Sequence, residues 1–240
     1  VKNVQPVTGK IIEYCIIIAI FAVPPVFAPK PAFESHTANI PAFFSPLPII
    51  FYALISVFLY LRTKTQFSIK KNGQNSFSAP KAVYTCGGAL LCCCALIISA
   101  FFWNYIARIA HEVKQPPLVL PKTFGGRFLF FTSAIVLASY EELLFRFFLP
   151  ECGLFIVRNS THGSGKSKIP PARVIAAELI PIVLFTLAHR YLGVYAAGNA
   201  LCAAVILRFA LYKKLHIGAL CAVHGAYNIA VFIVLSRTPL

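Results

Sequence analysis

Ser139-Tyr140-Glu141-Glu142-Leu143-Leu144-Phe145-Arg146 places two adjacent glutamates and an arginine inside an apolar run, 128–150. The chain has seven acidic residues in 240, all of them Glu, and two of the seven stand side by side here. Glu142 and Arg146 are four apart, so on a helix they share a face and can pair. Glu141 is turned about 100° from Glu142 around the helix axis. One glutamate is then held by arginine while the other is free to face a cavity. A structural Glu–Arg pair joining two helices accounts for Glu142 and leaves Glu141 unexplained. Ionisable groups at membrane depth are costly and mark function by default. A carboxylate in a low-dielectric site can be tuned into a useful base.

The surroundings of that stretch are a membrane. The chain is 58% hydrophobic and 12% charged, with mean hydropathy +0.76. A soluble domain is closer to half apolar and about a quarter charged, so the surplus apolar surface faces lipid. The apolar runs are continuous and helix-length, without the period-two alternation of a membrane barrel. The expected fold is all-α, a polytopic transmembrane bundle. Seven spans are expected, near 10–28, 47–61, 82–103, 127–150, within 174–195, 198–212 and 216–235. The pattern shows no internal repeat and no soluble domain. The first run has a signal-peptide rival, since Val26-Phe27-Ala28 ends in a small residue. Pro29 after that point and the length of the run favour an uncleaved span, kinked at Pro24-Pro25.

A net charge of +15 invites nucleic-acid binding. The basic residues lie between apolar runs, however, and the plain account is the Lys/Arg bias of cytoplasmic loops. With the N-terminus inside, inner segments carry fourteen basic residues against seven on outer ones. The N-terminus is therefore expected in the cytoplasm and no nucleic-acid partner is expected. The eight cysteines lack paired CxxC spacing of the zinc type. Seven lie within expected spans and Cys152 just beyond one, which suits small packing residues.

Two further motifs lie downstream. Phe185-x-x-x-His189 falls in the fifth run and His224-x-x-x-Asn228 in the seventh. His224 and Asn228 share a helix face, and an imidazole beside a carboxamide supplies donors suited to an oxyanion. Each alone reads equally well as a polar helix–helix contact; together with the glutamates, on three spans, they suggest one site. At about 1.5 Å per residue, Glu141 comes out roughly 14 Å from the inner end of its run, and His224 and Asn228 roughly 12 and 18 Å from theirs. His189 comes out roughly 22 Å deep if its helix starts at Val174. A start near Ala177, with 169–176 along the surface, would improve the match.

Glu-Glu-x-x-x-Arg, then Phe-x-x-x-His, then His-x-x-x-Asn, in that order, resembles the CPBP family. These are the CAAX prenyl-protease and bacteriocin-processing intramembrane glutamic proteases of the Ras-converting type. The resemblance covers about 134–230. It implies that Glu141 and His189 activate water, that His224 and Asn228 form the oxyanion hole, and that Glu142 and Arg146 support the site. It implies an endopeptidase acting on a membrane-associated peptide or protein at the lipid bilayer. The location expected is the plasma membrane of a bacterium. No cofactor is expected, with metal-assisted hydrolysis as a second mechanism open to the same residues. Spans one to three, 1–126, would be an N-terminal unit and 127–240 the catalytic core. Eukaryotic members are usually drawn with eight spans, one more than counted here. The rival functions are a transporter with a Glu/His relay, which predicts an inverted repeat, and a non-catalytic immunity or scaffold protein.

Two other stretches imitate known motifs. Residues 160–167 end like a phosphate-binding loop, but Ser160 replaces the first Gly and no strand precedes it. His111-Glu112-Val113-Lys114-Gln115 begins like a zinc-protease helix, but Gln115 stands where the second His must be.

Overall fold

The computed structural model describes residues 7–29, 46–67, 79–110, 120–160 and 170–237. Among these residues there are helices and no strand. Among the described residues seven helices are long and apolar enough to cross a membrane, and the chain is an all-α transmembrane bundle. The spans are Val7–Val26, Pro46–Phe67, Ala79–Ile109, Phe124–Ser160, Pro171–Ala188, Val194–Tyr212 and Ile217–Arg237. The two imitation motifs lie outside the described residues, apart from Ser160, as do Pro116-Pro117.

The fourth span is the axis of the bundle. Half of its apolar window is buried, against 11% for the third span, whose Leu90, Leu91, Ile98 and Phe101 are exposed as lipid-facing residues should be. The second and seventh spans pack along its first half, and the first and fifth spans along its last turns. The third and sixth spans pair with each other; the third also packs on the seventh, and the sixth on the fifth. The fourth span starts where Thr123 caps it, its hydroxyl accepting from the Gly126 amide at 3.1 Å. That cap satisfies one of the helix's orphan N–H groups.

Helix ends differ from the hydropathy reading. The second and third helices start near the expected residues but run on to Phe67 and Ile109, into stretches expected to be loop. The sixth begins at Val194, four residues early. The largest difference is in the fourth, where Glu151 was expected to open a loop and the helix instead continues to Ser160. The physical reason is common to all of these. Hydropathy marks where side chains leave the hydrocarbon, whereas a backbone that has begun its i→i−4 ladder gains by continuing it.

The same extension corrects the depth of His189. The fifth helix begins at Pro171, with no surface-lying segment at 171–176. From Ser160 and Pro171, the adjoining ends of their helices, Glu141 and His189 lie about 29 and 27 Å along the axis. The two ends are side by side, because a Cβ on Gly153 would meet Ala177 Cβ at 3.2 Å. Glycine there lets the fourth and fifth helices approach closely.

The first span is irregular near its far end. Ile18–Ala22 is wound as a π-helix and Val23–Val26 as a last helical turn carrying Pro24-Pro25. The expected proline break therefore takes the form of a widened turn just before the prolines. All eight cysteines are free and all lie on helices. Cys152 is buried in the extended fourth helix, and Cys202 accepts from the Trp103 indole at 3.4 Å.

Candidate active site

The glutamate pair sits at a change of helical winding. Phe124–Glu141 is α-helical, Glu142–Phe148 is a π-helix, and Leu149–Ser160 resumes the α form. Pro150 explains part of this. It has no N–H to offer the carbonyl of Arg146, four residues back. That carbonyl instead accepts from Arg208 Nη1 on the sixth span at 2.8 Å. Arg208 is itself gripped by Glu178 of the fifth span through two bonds of 2.6 Å. A bidentate arginine–carboxylate pair fixes orientation as well as charge, so the widened turn is braced from two neighbouring helices.

Both glutamates have ordinary α-helical dihedrals, Glu141 at φ −63°, ψ −43° and Glu142 at φ −63°, ψ −45°, and both reach the same imidazole. His224 Nδ1 lies 2.7 Å from Glu142 Oε1, and His224 Nε2 lies 3.7 Å from Glu141 Oε2. The sequence reading gave Glu142 to Arg146 alone; the structure gives it to Arg146 and His224 together.

Glu142 has no solvent exposure and Arg146 has 2%. Arg146 Nη1 stands 3.3 Å from Glu142 Oε1, close enough for an ion pair but without the alignment of a hydrogen bond. Among the described residues the Arg146 nitrogens and Glu142 Oε2 have no hydrogen-bond partner. The guanidinium is held by charge and by the face of Phe185, whose ring centre is 3.6 Å from Cζ. A cation over a desolvated aromatic face is worth about 2 kcal/mol. Phe185 in turn stacks at a tilt on His189, with centroids 4.4 Å apart.

His189 is therefore attached to the cluster through Phe185. It terminates the fifth helix, and its Nδ1 is 2.8 Å from the Phe185 carbonyl. A carbonyl only accepts, so Nδ1 carries the proton and a neutral His189 presents Nε2 as a lone pair. Asn228 lies one turn beyond His224 and is half-buried. Between them Tyr227 is buried, and its hydroxyl accepts from Asn199 Nδ2 at 2.8 Å. Asn199 Oδ1 accepts from Ser99 at 2.9 Å. This chain ties the seventh span to the sixth and third beside the imidazole.

The structure thus brings Glu141, Glu142, Arg146 and His224 into one cluster, adds His189 through Phe185, and places Asn228 on the adjoining turn. A groove of about 620 Å³ between the first and second spans, lined by Ile12, Glu13, Phe58 and Arg62 among others, holds none of these six residues. Among the described residues no group of three or more His, Cys, Asp or Glu is arranged to hold a metal ion.

Sequence reasoning missed Glu178, Arg208, Asn199 and Tyr227. Glu178 was findable: it is a lone acid in an apolar run, the same signal that singled out Glu141. So was the free Arg146 carbonyl, from the position of Pro150. The Ser99–Asn199–Tyr227 chain has no sequence signal.

Residues 123–230 match the family model of the Rce1-like type II CAAX prenyl endopeptidases. The match bears out the resemblance read from the three motifs and spans every residue of the cluster. No curated protein and no solved structure matches the chain.

Proposed function

We propose, from the match of 123–230 to an endopeptidase family and the cluster built there, that this integral membrane protein hydrolyses a peptide bond of a membrane-associated peptide or protein. Glu141 is the general base. Its carboxylate is half-buried, and His224 Nε2 stands 3.7 Å from its Oε2. It takes one proton from water while His189 Nε2 accepts a hydrogen bond from the other. The water oxygen attacks the scissile carbonyl carbon. Charge develops on the carbonyl oxygen, where His224 Nε2–H and the Asn228 carboxamide donate to it. Collapse of the adduct breaks the C–N bond, and the leaving amine takes its proton from Glu141.

The observation that carries this reading is His224 set between two carboxylates. Glu142 Oε1 accepts from Nδ1–H, and Glu141 Oε2 stands 3.7 Å from Nε2, so the ring is held between two acceptors and in this reading donates from both nitrogens. Glu142 and Arg146 act by fixing the orientation of the ring.

The division of labour follows the chain: 1–126 supplies flanking spans and 127–240 the catalytic core. The loop-charge asymmetry supports a cytoplasmic N-terminus.

The test is cleavage of a candidate membrane peptide by the purified protein, with and without a metal chelator. Glu141→Gln keeps size and hydrogen bonding but removes the base, and the loss expected is about 10² to 10⁴ in rate. The chelator is expected to leave cleavage unchanged. Full cleavage by Glu141→Gln would end the reading, and chelator-abolished cleavage restored by zinc would replace it with metal-assisted hydrolysis.

A further inference from the structure

The pattern that frees the Arg146 carbonyl occurs a second time, in the first span. Pro25 has no N–H to offer the carbonyl of Phe21, four residues back, and Phe21 lies in the π segment Ile18–Ala22. The donor that meets this carbonyl is the hydroxyl of Tyr140, at 3.2 Å. Tyr140 is buried, immediately precedes Glu141, and stacks at a tilt on Tyr52 of the second span with centroids 4.9 Å apart.

A second bond reaches the same short segment. The Val26 carbonyl belongs to the last turn of the first span, where carbonyls lack helical partners. Arg190 Nε donates to it, a cation at a helix C-terminus as the helix dipole favours. Arg190 immediately follows His189 and opens the 3₁₀ turn Arg190–Leu192. The last turn of the first span, Val23–Val26, packs against the fifth helix.

We infer that the broken end of the first span is a bracket that sets the spacing of the water-activating pair, with Tyr140 and Arg190 as positioning residues for Glu141 and His189. The two glutamic-protease motifs carried by the fourth and fifth spans have no direct bond between Glu141 and His189 in the cluster. Their backbones are instead referenced to one six-residue stretch, from Phe21 to Val26, through the residue before one and the residue after the other. A regular helix could not do this, because its carbonyls are already taken by its own amides. Pro25 releases the Phe21 carbonyl, and the end of the helix leaves the Val26 carbonyl free. The inference rests on the proposed protease reading for its kinetic consequence, but the bracket itself has a readout that does not.

The experiment uses the full chain in lipid nanodiscs with four variants: Tyr140→Phe, Arg190→Gln, Arg190→Lys and the double Tyr140→Phe/Arg190→Gln. Tyr140→Phe keeps the ring packed on Tyr52, and Arg190 is exposed, so folding is expected to survive both. Cleavage kinetics should show kcat falling about tenfold in each single variant and about a hundredfold in the double, with KM within about twofold, since small misplacements of reacting groups cost this much. Arg190→Lys should recover part of the loss. Hydrogen exchange at the amides of Val26, Phe27 and Ala28 should quicken in both singles and most in the double. If Glu141→Gln is inactive and the double variant keeps wild-type kcat, the bracket is overturned and the protease reading stands. If the wild-type protein cleaves no peptide, the protease reading fails, and exchange decides the bracket: faster exchange in the variants upholds it and unchanged exchange overturns it.

Discussion

Oε1 of Glu142 lies 2.7 Å from Nδ1 of His224, a carboxylate with no solvent exposure holding an imidazole of the adjoining seventh span. The same oxygen is 3.3 Å from Arg146 Nη1. One buried anion thus anchors two groups, one from its own helix and one from the seventh.

Glu142→Gln and Arg146→Ala are therefore expected to destabilise the fold as well as slow turnover. Each leaves a buried charge without its counterpart, a loss of about 3–5 kcal/mol. Arg146→Ala also removes the partner of the Phe185 face. Thermal melting in detergent measures it, and two unchanged midpoints would mean that the ion pair contributes nothing to the folded state.

His224→Ala and Asn228→Ala should act mainly on turnover. Loss of an oxyanion donor costs about 10² to 10³ in kcat, and substrate binding should be affected less, because these bonds strengthen in the transition state. Steady-state kinetics separates the two effects. A change confined to KM would move these residues from the oxyanion to substrate binding.

Gly225→Val tests whether the seventh span must touch the fourth closely. A Cβ at Gly225 would lie 3.3 Å from the Ile135 Cα and from its Cγ1. The backbone cannot yield as a flexible side chain would, so valine should push the helices apart and draw His224 from the glutamates. Overpacking of this kind costs about 1–3 kcal/mol. Activity should fall further than melting alone explains. Gly225→Val with normal activity would show that the imidazole has slack in its position.

Arg208→Lys probes the brace on the π turn. Lysine keeps the charge but lacks the fork that grips Glu178 and reaches the Arg146 carbonyl together. Expected are reduced kcat and a small drop in melting temperature, the latter small because Glu178 is one-third exposed on its side chain. Arg208→Lys indistinguishable from wild type in both assays would show that the widened turn holds its shape unaided.

Much of this was legible in the chain. Span number and order follow from apolar runs, because lipid imposes them on composition. Helix ends do not, as Leu149–Ser160 shows: its polar residues continue a backbone ladder after the hydrocarbon has ended. Glu141, Glu142, Arg146, His189, His224 and Asn228 stand out because polar groups are rare in such runs. Their connections are less visible. That both glutamates meet His224 depends on how the seventh span packs on the fourth, and the π turn that follows them is braced by Pro150 locally and Arg208 remotely. The proline is plain in the sequence; an arginine 62 residues away at hydrogen-bonding distance is not.

A widened turn also keeps a register. The segment Glu142–Phe148 accommodates more chain per turn than the helices on either side of it. The two arms of the fourth span consequently point their faces by different clocks. Deleting one residue from the regular helix that follows it, ahead of Cys152, would swing the rest of that arm by about 100°, carrying Cys152 and Gly153 away from the first and fifth helices they pack against. Descendants of this chain can exchange side chains around the glutamates one at a time. They can lose a residue only where the widened turn has one to spare.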